Sequence, residues 1–137
     1  MVVLNALYDL CTELSLANDS VADDSNCQNV IKELIELLDK FYTLPEISIS
    51  SIQCINHFLD IYPRFTSIII KTGGIPKIVV MTQNIEYIDL AENAIKALEK
   101  MSYENPYALL ENDAFVAMLS LIDFFDLNLR VYYFLNH

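Results

Sequence analysis

Apolar residues return every third or fourth position along most of this chain, the period that gathers them on one face of an α-helix. From Met1 to Leu16 they are Val3, Leu4, Leu7, Leu10, Cys11 and Leu14, and the polar run NDSVADDSN after Ala17 then reads as a loop. A second helix is expected from about Asn29 to Lys40, with Val30, Ile31, Leu34, Ile35 and Leu38 inward and Lys32, Glu33 and Glu36 outward. Pro45 disfavours helical geometry at Leu44 and suits the first turn of a third helix, which carries Ile49, Ile52, Ile55, Phe58 and Leu59 to about Ile61. Pro63 marks a turn, Thr66 to Lys71 a short helix, and Gly73-Gly74 a bend. Ile75 opens the next helix, with Pro76 at its start and Ile78, Val79 and Met81 facing inward. Between Asp89 and Met101 the face is Leu90, Ala91, Ala94, Ile95, Ala97, Leu98 and Met101, with Asp89 as the expected cap and Glu92 completing a capping box. A last helix is expected from Asn128, with Val131, Tyr132, Phe134 and Leu135 apolar.

These segments repeat. Ile69, Ile70, Ile78 and Val79 recur as Leu109, Leu110, Met118 and Leu119 at an offset of 40 residues. Ile31, Leu34 and Ile35 recur as Ile75, Ile78 and Val79 at an offset of 44, and Cys54, Ile55 and Phe58 as Ala97, Leu98 and Met101 at an offset of 43. A helical period of roughly 40 to 47 residues indicates armadillo or HEAT architecture, in which each unit needs its neighbours to bury its apolar face. The expected fold is therefore all-α: an armadillo-type right-handed superhelix of about three repeats, forming a single domain over residues 1–137. Without polar capping helices it reads as cut at both ends from a longer protein, and its bare ends invite self-association.

Composition agrees with helices. Hydrophobic residues make up 54% of the chain, which argues against disorder, and two glycines with four prolines leave too few special turns for a sandwich or barrel. The net charge of −11 repels a phosphate backbone or an anionic membrane, and the eight cations read as scattered, so neither nucleic acid nor membrane is an expected partner. Thr66 to Met81 is interrupted by Lys71, Gly73, Gly74, Pro76 and Lys77, short of the roughly 20 apolar residues that a membrane span needs. Met1 to Leu16 carries Asp9 and Glu13 and has no basic leader, so it reads as an amphipathic helix and not a targeting segment.

The three cysteines, Cys11, Cys27 and Cys54, are odd in number and lack metal-ligand spacing, so they read as small buried thiols in a reducing, cytoplasmic or nuclear compartment. Cys54 near His57 is weighed as a nucleophile and set aside, because Cys54 lies on the core side and a reactive thiol needs access and a lowered pKa. His57 and His137 have no second ligand at metal spacing, and KTGGIPK lacks the spacing of a phosphate loop. The carboxylate pairs Glu33 with Glu36 and Glu92 with Glu99 fall on outward faces. No catalytic residue, cofactor or metal is expected.

The segment YIDLAENAIKALEKMSYENPYALLENDAFVAMLSLIDFFDLNLR, with Asp89, Ala91, Glu92, Ala97, Leu98, Met101, Ser102, Phe124 and Phe125 as landmarks, resembles the armadillo-like region of HECT-type ubiquitin ligases of the thyroid-receptor-interactor and ubiquitin-fusion-degradation group. LYDLCTELSLAND, NVIKELIELL and YPRFTSIII, with its Pro63-Arg64 pair, follow in the order and spacing of that group. One departure is Asp113-Ala114 where the family carries Gly-Gly. Armadillo proteins that grip extended peptides place Trp and Asn on the groove-lining helix; the matching positions here are Gln53 and His57, then Lys96 and Lys100, so a peptide ladder of that kind is not expected.

The resemblance implies a non-catalytic scaffold within a ligase whose catalytic cysteine belongs to a separate HECT domain. Its partners would be protein substrates, ubiquitin, or other domains of the parent. The exposed positions expected to meet them are Gln53, His57, Asp60, Lys96, Glu99 and Lys100. The alternative is an armadillo or HEAT adaptor without any ligase domain.

Overall fold

A computed structural model describes residues 5–7, 9–10, 13, 24–83, 86–112 and 114–119. Every regular element among them is helical. The order is α1 (Asp24–Leu37), a 3₁₀ turn (Leu38–Tyr42), α2 (Pro45–Ile61), a second 3₁₀ turn (Pro63–Phe65), α3 (Thr66–Lys71), α4 (Gly74–Thr82), α5 (Ile88–Glu104) and α6 (Pro106–Glu111), followed by helical residues 114–119.

The repeat is visible in this order. A short helix, a medium one and a long one, α3–α4–α5, make one full unit. The pair α1–α2 supplies the medium and long helices of the unit before, and α6 with residues 114–119 opens the unit after. The Pro63–Lys71 segment and α4 meet at a bend of 98°. Gly73 makes the corner with φ +75°, left-handed backbone that only glycine adopts without strain. Gly74 allows the close approach beyond it, since a Cβ there would stand 2.7 Å from Ile69 Cγ2. The long helices α2 and α5 pack against each other more extensively than any other pair, and α4 packs on α5. The whole is an all-α repeat solenoid.

Equivalent positions keep the register in the core, although Leu110 and Leu119, matched to Ile70 and Val79, are exposed. Cys54 with Ala97, Ile55 with Leu98, Phe58 with Met101, and Ile69 with Leu109 are all buried. Of the inward residues expected on this stretch, Ile31, Leu34 and Ile35 on α1 and Leu38 in the 3₁₀ turn are at most 2% exposed and Val30 is half-buried, while Lys32, Glu33 and Glu36 face out. Along α5, Leu90, Ala91, Ala94, Ala97, Leu98 and Met101 are buried. From the amino-terminal face Leu7 is buried and Leu10 packs on the core; Val3, Leu4, Cys11 and Leu14 lie outside the described residues, as do the helix expected from Asn128 and His137.

Helix ends differ from expectation. Helix α1 starts at Asp24, inside the run read as a loop. Asp89 does not cap α5. Tyr87 is the cap residue, with no side-chain hydrogen bond, and Asp89 sits inside the first turn, its carbonyl accepting from Asn93 Nδ2 at 2.8 Å. The side-chain cap is found at α6, where Asn105 Oδ1 accepts from the Ala108 amide at 3.2 Å and Pro106 follows it. Ser48, buried on α2, donates to the Leu37 and Leu38 carbonyls at 3.2 and 3.0 Å, closing the end of α1. Cys54 is fully buried, its sulfur 3.4 Å from the Leu7 carbonyl oxygen. It is disulfide-bonded, which corrects the expectation of three free thiols.

No single helix among the described residues is long and apolar enough to cross a membrane. The bent pair Pro63–Lys71 and α4 matches a span in length and composition only, and its apolar residues Phe65, Ile68, Ile69, Ile75, Ile78 and Met81 are buried in the core.

Candidate functional site

The long helices α2 and α5 lie side by side, so residues facing out from both make one surface. On α2, Gln53, His57 and Asp60 follow one another at helical spacing; Gln53 and His57 are half-buried and Asp60 is exposed. On α5, Lys96 and Glu99 are exposed and Lys100 is half-buried.

The structure joins two of these six directly. Lys100 Nζ lies 2.8 Å from Asp60 Oδ1 and donates to the Asn56 carbonyl at 3.3 Å. Lys100 therefore bridges neighbouring repeats, with part of its charge already matched, and is less available to a partner than Lys96. No direct contact joins Gln53, His57, Lys96 and Glu99 to one another among the described residues.

Sequence reasoning missed Asn56. It is 6% exposed, between Ile55 and His57, and its Nδ2 donates to the Asn93 carbonyl at 2.9 Å. Its Oδ1 is buried without a hydrogen-bond partner among the described residues. The preceding repeat thus holds an amide where α5, 43 residues on, carries Glu99. Nothing in the pattern marked Asn56, because a polar residue beside His57 at the edge of an apolar face reads as outward.

A surface of this kind offers charge and hydrogen bonds but no reaction centre. Among the described residues no group of three His, Cys, Asp or Glu side chains is placed to hold a metal. Cys54, the one described cysteine with a placed side chain, is buried and bonded, which removes it as a nucleophile.

An all-α repeat array with a continuous core beneath its outward faces is the architecture of protein-interaction modules. The chain belongs to the TRIP12-like family: residues 1–111 match the family described as E3 ubiquitin-protein ligase TRIP12-like, TPR repeats. It is 32% identical over 127 residues to E3 ubiquitin-protein ligase UPL4 of Arabidopsis thaliana, covering 93% of this chain and 8% of that protein. Against UPL3 of the same plant the identity is 31% over 122 residues, 89% of this chain and 6% of the relative. Against TRIP12 of Danio rerio it is 26% over 125 residues, 91% and 6%. The chain thus spans less than a tenth of the relatives it matches. No solved structure matches it.

The chain is a repeat region of such ligases. The family's description speaks of TPR repeats, a two-helix unit of roughly 34 residues. Here the offsets of 40 to 44 residues and the additional short helix α3, set at 98° to α4, describe a three-helix unit.

Proposed function

We propose that this chain is a non-catalytic scaffold and recognition region of a HECT-type E3 ubiquitin ligase, holding a protein substrate or ubiquitin for an active site elsewhere in the parent. The observation that carries this reading is the match of nearly the whole chain to a small fraction of several ligases, on a fold whose outward face can vary without disturbing its core. The same matches favour a ligase over an adaptor without a ligase domain.

The α2–α5 surface is the proposed contact. Gln53, His57, Lys96 and Glu99 would meet the partner, while Asp60 and Lys100 hold the two helices in register. The cytoplasm or nucleus is the proposed setting, although the bonded sulfur of Cys54 does not argue for a reducing compartment.

A quantitative pull-down with the full repeat array tests the surface. Gln53→Ala/Lys96→Glu is expected to reduce partner capture, and equal capture by the wild type and this variant removes the proposed face.

A further inference from the structure

Two tyrosines stand at the carboxy-terminal end of the α2–α5 surface. Tyr103, in the last turn of α5, is 81% exposed, and Tyr107, in the first turn of α6, is 76% exposed, more than any other large apolar side chain among the described residues. Tyr103 continues the outward stripe of Lys96, Glu99 and Lys100 and holds the position of Asp60, 43 residues earlier; Tyr107 holds that of Ser67, 40 residues earlier. Asp60 and Ser67 are exposed although the next repeat packs beside them, so stacking of repeats leaves these positions open. Leu110 and Leu119 differ. Their counterparts Ile70 and Val79 are half-buried and pack on the core, so stacking accounts for them.

Neither tyrosine makes a hydrogen bond or ring contact among the described residues. The carboxylates beside them are unmatched too. Glu99, one turn before Tyr103, and Glu104, next to it, are exposed and make no ion pair among the described residues. Lys100, the cation nearest in the stripe, already meets Asp60 at 2.8 Å, and no Lys or Arg occurs between Lys100 and Arg130. Aromatic faces carry negative potential, so rings with unmatched carboxylates within one turn attract a cation. Arginine suits both groups, because its flat guanidinium stacks on a ring and pairs with a carboxylate through two hydrogen bonds. The tyrosines are four residues apart across Asn105 and Pro106, so their Cα atoms stand no more than roughly 14 Å from each other, the reach of a few extended peptide residues.

We propose that Tyr103 and Tyr107 dock an arginine-bearing segment of a protein partner, its guanidinium groups stacking on the two rings and pairing with Glu99 and Glu104. The site extends the α2–α5 surface and rests on the proposal that this surface meets protein partners; it names the chemistry of what is held there. A nucleic acid or an anionic membrane would bring negative charge against these carboxylates. A second copy of this chain is a poor match as well, since two bodies of net charge −11 repel each other.

Fluorescence anisotropy on the full-length protein tests it, with a labelled peptide of alternating arginine and serine, a matched lysine peptide, and a neutral peptide with glutamine for arginine. The arginine peptide is expected to bind, the lysine peptide more weakly, and the neutral one not at all. Tyr103→Ala/Tyr107→Ala should weaken binding of the arginine peptide by about tenfold or more, and Tyr103→Phe/Tyr107→Phe should keep it within about twofold, because the ring and not the hydroxyl holds the cation. Circular dichroism should show both variants folded. The alanine pair leaves the net charge untouched, so an affinity it does not change means attraction by charge alone and overturns the proposal. Equal affinity for the lysine or neutral peptide overturns it too, as does sedimentation showing a wild-type dimer that the alanine pair dissolves. Gln53→Ala/Lys96→Glu should bind the arginine peptide at least as tightly as the wild type, so a failed pull-down and a failed peptide test are told apart.

Discussion

Lys100, on α5, reaches Asp60 Oδ1 at 2.8 Å and the Asn56 carbonyl oxygen at 3.3 Å, both on α2. One side chain thus ties the long helices of successive repeats together at their surface. The pair is partly exposed, the Lys100 side chain at 29% and that of Asp60 at 57%, so solvent screens much of its Coulomb attraction. A double-mutant cycle with Lys100→Met and Asp60→Asn should give a coupling of about 0.5 kcal/mol, shrinking in high salt. No coupling at low salt would mean that the contact does not hold the repeats in register.

The corner before α4 makes two neighbouring glycines unequal. At Gly73 nothing stands within 4 Å of an added Cβ, and Gly73→Ala should cost about 1–2 kcal/mol for left-handed backbone alone. At Gly74 the added carbon would meet Ile69 Cγ2 at 2.7 Å, and the Ile35 side chain and Ile69 carbonyl oxygen at 3.1 Å. Gly74→Ala should cost about 1–3 kcal/mol by overpacking, and Gly74→Val more. Urea denaturation of the three variants checks the order; a neutral Gly74→Val would contradict the packing described at this bend.

The buried face of α5, which packs against α2 and α4, carries small residues, Ala94 and Ala97, both fully buried. Ala97→Leu should destabilise by about 1–3 kcal/mol, because the added side chain overpacks a filled core. Met101 is fully buried too, and Met101→Ala should cost about 2–5 kcal/mol by leaving a cavity. Thermal unfolding of both variants is the measurement, and an Ala97→Leu protein as stable as the wild type would contradict close packing on this face of α5.

Asn105 carries the side-chain cap at the start of α6. Asn105→Ala should lose about 1 kcal/mol, and Asn105→Asp should restore most of it. Equal stability of all three proteins, measured by urea denaturation, would show that Pro106 alone sets this helix start.

Periodicity made the core legible. Ile31, Leu34, Ile35, Leu38, Ile78 and Met101 each lie inside because an apolar face at helical spacing must be buried by something, and the repeat offsets indicated what. Helix ends were less legible, since Asp24 and Asp89 are equally credible as loop, cap or first-turn residues until the backbone is known. The site was legible only in outline. That Gln53, His57, Lys96 and Glu99 face outward from adjacent helices follows from their phase, but the Lys100–Asp60 bridge and the burial of Asn56 depend on how closely α2 and α5 approach. That Lys32, Arg64 and Lys71 line one cavity was not legible, because distance along the chain hides what the packing of α3 on α1 brings together.

The most direct test separates recognition from the ligase chemistry proposed for the full-length protein. Gln53→Ala/His57→Ala/Lys96→Glu should leave ubiquitin loading and self-ubiquitination within about twofold of the wild type, because polar substitutions at the surface, outside the core, alter stability little. Quantitative immunoprecipitation of the same variant should show at least one co-purifying protein falling by about tenfold, the loss expected when contacts worth 1.4 kcal/mol are removed. An unchanged set of co-purifying proteins, or loss of ubiquitin loading in a folded variant, would contradict a recognition role for this region.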